Sequence, residues 1–300
     1  MKKIILILLA VLFTFVADAQ KIKTMIVTGQ DGSHWWQGGS DAVKMILENS
    51  GLFTVDILIT PEMGKSIKSY HPDFKKYDLV VINYGGETWP EETRKDFEAY
   101  VNNGGGVVVL HSSIVPMDDW KEYNKMIGLG AWNGRNEKDG PYVYWKDHRY
   151  VYDYSPGWAG YHGLQHSFVV VNRNLEHPIL KGLPPVWMHF KDELYAHLRG
   201  PAQNMEILAT AYETSGNETE GRDEPVLWTV NYGKGKVFVS VLGHAGNDPA
   251  LRYSMECTGF QVTLLRGAEW AATGKVTQAN PKDFPLKELC TFRKDFKIPY

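Results

Sequence analysis

Gly104-Gly105-Gly106-Val107-Val108-Val109-Leu110-His111-Ser112-Ser113 is the stretch whose reading decides the fold. Four apolar residues, three of them β-branched, follow a glycine run and stop at a histidine and two serines. A short apolar run without polar alternation predicts a strand buried on both faces, as in a parallel sheet covered by helices. Polar residues at the carboxyl end of such a strand stand where open α/β sheets bind ligands. Outward from this strand, Met25-Ile26-Val27-Thr28 runs into Gly29-Gln30-Asp31-Gly32-Ser33-His34. Residues 78–83 run into Tyr84-Gly85-Gly86-Glu87, and Leu242-Gly243-His244 closes a late strand. If these ends share one edge, they enclose a histidine-containing crevice.

The intervening elements follow from pattern. A helix is expected over 40–49, with Ala42, Val43, Ile46 and Leu47 as its apolar stripe. A strand follows over 53–59. Thr88-Trp89-Pro90-Glu91 opens a second helix, with Thr88 as cap and Pro90 just inside it. The order strand, helix, strand, strand, helix, strand implies an α/β fold in one domain, a doubly wound, mostly parallel sheet with helices on both faces. Asp118 or Asp119 caps a short helix through Met126. Residues 128–165 show no period and read as a long aromatic loop, which in a compact domain marks a functional insertion. Strands are expected over 168–171, 186–198 and 205–212, a polar loop over 215–223, and a hairpin around Tyr232-Gly233-Lys234-Gly235. A last helix spans 253–272.

Residues 1–19 read as a secretory signal: Lys2-Lys3, an apolar run, then Ala17-Asp18-Ala19 as the cleavage site. That places the mature protein in the periplasm or outside the cell, with a domain over 20–274 and a tail over 275–300 laid on it. No later apolar run is long enough to span a bilayer, so no membrane partner is expected after cleavage. The formal net charge of −3 becomes −5 once Lys2 and Lys3 are removed, and no basic run stands out. This argues against nucleic acid as a partner. Cys257 and Cys290 are the only cysteines, too few for a cysteine-type zinc site and open to pairing in an oxidising compartment. Ten Trp and sixteen Tyr supply flat faces suited to both core packing and sugar rings.

The ordered motifs of the chain resemble the ThuA-like (trehalose-utilisation) family of the class I glutamine amidotransferase-like superfamily. They are Gly104-Gly105-Gly106 with His111-Ser112, Gly160-Tyr161-His162-Gly163-Leu164-Gln165-His166-Ser167-Phe168 and His177-Pro178-Ile179. After these come Asp192-Glu193-Leu194-Tyr195, Pro225-Val226-Leu227-Trp228, Leu242-Gly243-His244 and Gly267-Ala268-Glu269-Trp270. The resemblance implies a flavodoxin-like core and a place in bacterial sugar use, including routes through 3-keto-glycosides. Glutamine amidotransferases of this superfamily carry a cysteine at the strand-to-helix elbow and a His and Glu two residues apart at a later strand end. Here the elbow holds His111, and the residue two beyond His244 is Gly246. Without thiolate or orienting carboxylate, thiol-based glutaminase chemistry is unavailable.

The candidate groups then rank by position. His111 follows the buried strand and is expected as a general acid or base, its imidazole suited to proton transfer near neutral pH. His162 and His166, four apart, can present one face toward the crevice, as partners of His111 or as ligands of a divalent metal such as zinc, with His111, His244, Asp192 or Glu193 to supply the third ligand. Asp192 and Glu193 are adjacent, so in a strand only one faces the crevice. Glu193 is expected in the catalytic group, and Asp192 beside the substrate. His34, Trp36, Glu87 and Ser112 complete the expected sugar-binding wall. His177 reads as structural, and His71, His148, His189 and His197 carry no signal. Several histidines at strand ends favour an enzyme acting on a small carbohydrate over a binding module that needs only amides and carboxylates.

Overall fold

A computed structural model describes residues 20–213, 221–293 and 296. The expected signal segment, most of the loop over 215–223 and the last residues of the tail lie outside the described residues. Strand β1 (Ile22–Gly29) leads to helix α1 (Trp36–Asn49) and β2 (Phe53–Ile59). Then come β3 (Leu79–Tyr84), α2 (Glu91–Asn102), β4 (Gly106–Leu110) and α3 (Lys121–Ile127). The second half holds β5 (Tyr142–Lys146), β6 (Arg149–Asp153), β7 (His166–Asn172) and β8 (Val186–Asp192). It ends with β9 (Met205–Glu213), β10 (Arg222–Tyr232), β11 (Gly235–Ser240) and α4 (Thr258–Thr273).

All eleven strands join one sheet in the order β2-β1-β3-β4-β11-β10-β9-β7-β8, with β5 against β10 and β6 against β5. The first five in that order are mutually parallel. The rest pair antiparallel. The sheet is therefore mixed, and the expectation of a mostly parallel one is corrected. The reason is local: β10 and β11 are joined by the tight turn at Gly233-Lys234, which reverses the chain beside β11 while β11 itself lies parallel to β4.

β4 is buried along its whole length, as are Leu79 to Ile82 of β3, which matches their unbroken apolar runs. α4 lies directly across β4. A Cβ on Gly106 would meet the Ala271 carbonyl oxygen at 2.6 Å, so only glycine permits that approach. α1 also packs on α4. α1 begins at Trp36, four residues ahead of expectation. α2 begins at Glu91 with Pro90 as its cap residue, and the Thr88 hydroxyl donates to Asp119 instead of capping the helix. The last helix begins at Thr258 rather than at 253, after a separate 3-10 turn over Tyr253–Glu256.

Residues 128–165 are not a plain loop. β5 and β6 form a hairpin whose two turn residues, Asp147 and His148, hold φ of 50° and 61°. Two left-handed residues are what a two-residue hairpin demands, and Asp tolerates them. The tail runs back over the domain. Met188 donates from its amide to Leu286, Thr258 donates to the Thr291 carbonyl, and Phe284 packs edge-on against Trp187. No described helix is long and apolar enough to cross a membrane.

Candidate functional site: a histidine–carboxylate pocket

Because β1, β3, β4 and β11 are parallel and in register, their carboxyl ends share one edge, and four segments leave there. The segment after β4 turns at once. His111 takes φ +43°, a left-handed conformation uncommon for a non-glycine residue. The turn is held by the Ser113 hydroxyl, which accepts from the Tyr84 amide, and by the Ser113 carbonyl, which accepts from Tyr123. The His111 ring is buried. Its Nδ1 lies 2.6 Å from the Val241 carbonyl, an oxygen that only accepts, so Nδ1 carries the proton and Nε2 points into the pocket.

Nε2 of His111 stands 3.0 Å from the Tyr195 hydroxyl and 3.4 Å from Glu193 Oε2. The same Glu193 oxygen lies 2.9 Å from His244 Nδ1. Nε2 of His244 is buried without a hydrogen-bond partner. His34 completes the group. Its ring centroid is 5.1 Å from that of His111 and 4.8 Å from that of His244. One donor atom from each of His34, His111, Glu193 and His244 lies within 4.8 Å of the others.

Two carboxylates, Asp31 half-buried and Asp192 fully buried, hold this arrangement. Asp31 takes His34 Nδ1 at 3.0 Å, the Ser112 hydroxyl at 2.8 Å and the amides of Ser33 and His34. Burial alone would raise its pKa, but the hydrogen bond and charge of His34, with Ser112 and Ser33, lower it to about 2. Asp192 is fully buried. It accepts from His189 Nε2 at 2.6 Å and from the amides of Glu193, Gly243 and His244. One carboxylate thus fixes the backbone of two pocket residues. Burial opposes its charge, yet His189 and His111 keep it ionised below the usual range, and His189 in turn rises to about 9.

The pocket charges are unequal. Burial disfavours a charged His111, but Glu193 and Asp192 outweigh it and raise its pKa. His244 moves the other way, since burial and the neighbouring His111 prevail over Glu193. Glu193, although partly buried, is held well below the normal carboxylate range by both histidines. Tyr195 rises well above its ordinary value through burial and the carboxylates around it, so it stays a phenol that donates. These directions favour charge on His111 and Glu193 over charge on His244.

The remaining expected residues separate. His162 stands at the mouth, part-exposed, with Nδ1 3.9 Å from Glu193 Oε1 and its ring against Trp132 and Tyr195. His166 does not join it. It is exposed on β7, bonds the Leu164 carbonyl and touches Phe168, because the segment is extended and a bulge follows His166. Trp36 lines a cavity with His34, His111 and Ser112. Glu87 is exposed and meets the first loop only through its backbone, which donates to Gln30. Asp192, expected beside the substrate, is sealed beneath the pocket and supports it instead. Ser112 is likewise committed to Asp31.

Three residues of the pocket carried no site assignment in the sequence: Asp31, His189 and Tyr195. Asp31 had a local signal, since an Asp three residues before a His on a strand-end loop can hold that ring. His189 and Tyr195 had none, because their roles depend on the path of the irregular chain after β8.

A mixed α/β sheet with histidines and a carboxylate gathered at the ends of parallel strands defines a single-domain protein with one polar pocket at the strand ends. The family model described as ThuA, trehalose utilisation, matches residues 23–271, and the chain belongs to that family. It is similar to a ThuA-like protein from Parabacteroides merdae, 52% identical over 92% of this chain and 99% of that one, with a TM-score of 0.87. A ThuA-like protein from Bacteroides uniformis shares the fold at 20% identity and a TM-score of 0.56, covering 87% of this chain and 95% of that one. Among curated proteins, hydroxylamine reductase from Methanocaldococcus jannaschii is 38% identical over 80 residues, only 27% of this chain and 14% of that protein.

Proposed function

We propose that this chain is an exported enzyme of carbohydrate metabolism that acts on a glycoside or its 3-keto form, with the pocket of His34, His111, Glu193 and His244 as its active site. The supporting observation is the meeting of one Glu193 oxygen with both His111 and His244 at the sheet edge. We read the parallel order β2-β1-β3-β4 as the flavodoxin-like part of the fold, which makes this edge its ligand-binding edge.

The chemistry follows from the charges. Positive charge beside a ketone oxygen acidifies the neighbouring C–H and stabilises the enolate that forms. His111 supplies that charge, and Tyr195 donates a hydrogen bond beside it. His162, in contact with solvent at the mouth, takes the proton from carbon. In a 3-keto-glycoside the proton leaves C2, its electron pair forms the enolate, and collapse expels the C1 oxygen, which is protonated as it departs. Reprotonation at C2 without that expulsion gives epimerisation. Trp36 and Trp132 offer flat faces for the sugar ring. Thiol-based amidotransferase chemistry has no place here, because the elbow residue is His111.

The test is deuterium exchange. Incubated in heavy water with 3-keto-glycosides, the full chain should incorporate deuterium next to the ketone. His111→Asn should lose this by about 100-fold or more. Asn tolerates positive φ, so the elbow should survive and the thermal midpoint should move little. Saturable sugar binding with no exchange and no product would make the chain a binding protein instead.

A further inference from the structure

We infer that the pocket is a binding site for one first-row divalent cation, with Zn²⁺ the best match, held by His34, His111, His244 and Glu193. The inference rests on the reading of this pocket as the functional site and names the charge that polarises the substrate oxygen.

Three observations point to an ion rather than to a bare hydrogen-bond network. First, the donors converge: four side chains from four separate segments place one ligand atom each within 4.8 Å of the others. Four donors about 2.1 Å from a tetrahedral centre stand about 3.4 Å apart, so closure around an ion needs a movement of about 1 Å. Second, the outer ring nitrogens are already occupied in the way metal-bound imidazoles require. His34 Nδ1 is held by the Asp31 carboxylate and His111 Nδ1 by the Val241 carbonyl. Each bond fixes the tautomer and turns the Nε2 lone pair inward, and a carboxylate behind a histidine also raises its ligand strength. Third, His244 is buried, its Nδ1 faces Glu193 Oε2 at 2.9 Å, and its Nε2 has no hydrogen-bond partner. A buried polar atom left without a partner is costly and calls for an explanation. A cation beside the Glu193 carboxylate supplies one.

The set of three imidazoles and one carboxylate suits zinc and its neighbours and disfavours calcium and magnesium, which prefer oxygen cages. Binding displaces the Nε2 proton of a charged His111 and replaces the 3.0 Å contact of that nitrogen with the Tyr195 hydroxyl. His111 then acts as a ligand, while outside the donor set Tyr195 keeps its hydrogen bond to the substrate oxygen and His162 its proton transfer.

The experiment uses the full chain without an affinity tag, stripped with a chelator, dialysed and titrated with zinc chloride at neutral pH. Calorimetry and elemental analysis should give one ion per chain. His34→Gln and His244→Gln should each weaken binding by about 100-fold, and Asp31→Asn, which acts through His34, by about 10-fold. His162→Ala should leave it unchanged. Native circular dichroism of each variant separates lost ligation from lost fold. Absence of stoichiometric binding by Zn²⁺, Mn²⁺, Fe²⁺, Co²⁺ and Ni²⁺ overturns the inference, as does binding that survives both glutamine variants in folded protein. Exchange or turnover that persists in metal-free protein sinks the ion and leaves the carbohydrate reading standing. A bound ion with no sugar chemistry does the reverse.

Discussion

Asp192 and Glu193 are neighbours with opposite duties. Glu193 faces the pocket, and Asp192 collects one imidazole and three amide donors beneath it. Asp192→Ala strands those donors and leaves His189 as an uncompensated buried cation. It should cost about 3–5 kcal/mol in urea unfolding. Asp31 is testable through pH. Its folded pKa of about 2 lies below its ordinary 3.8, so it contributes stability above that ordinary value and loses it as pH falls toward 2. The contribution is about 2 kcal/mol. The stability difference between the parent chain and Asp31→Asn should be constant above pH 5 and shrink by that amount between pH 4 and 2. Equal acid sensitivity in the two proteins would show that Asp31 is not ionised against His34.

At the scale of elements, what could be read in advance was what local pattern dictates. The apolar runs of β1, β3 and β4 announce burial, and a polar residue after each announces the edge, so His111, His244 and the loop of His34 were legible. The β5–β6 hairpin was not, because Asp147-His148 is a weak turn signal and aromatic residues face both ways along it. His166 was misplaced because a spacing of four implies a shared face only where the backbone is regular, and a bulge lies there. The antiparallel half was hidden for another reason: strand direction is set by which neighbour a strand finds, not by its own residues. Close approach of elements gives a sharp test. Gly267 sits in α4, where alanine is normally favoured by about 1 kcal/mol. A Cβ there would meet the Phe238 ring at 2.1 Å, so Gly267→Ala should instead destabilise by about 1–3 kcal/mol, read in urea unfolding.

The whole molecule joins its pocket to its tail through one chain of contacts. Asp192 bonds His189, His189 and Cys290 of the tail both lie beside Cys257 at the start of α4, and the Cys290 thiol donates to the Met188 carbonyl. Both cysteines are free here. Cys290, despite burial, and with His189 beside it, draws the Cys257 pKa well below that of an ordinary thiol. A thiol whose pKa is lowered beside a second thiol oxidises more readily than an isolated one. If residues 1–19 direct export, as their charge and apolar run propose, this pair meets an oxidising compartment and should close. The cross-link would tie the tail to α4 and stabilise the fold by about 3–4 kcal/mol, given the length of chain it closes. Protein recovered from the periplasm should begin at Gln20, resist alkylation in denaturant until reduced, and melt above its reduced form. Protein made without residues 1–19 in a reducing cytoplasm should label at both cysteines once denatured, since Cys257 is buried in the fold. Free alkylation of the denatured exported chain would mean that the tail is held by non-covalent contacts alone, Phe284 on Trp187 among them.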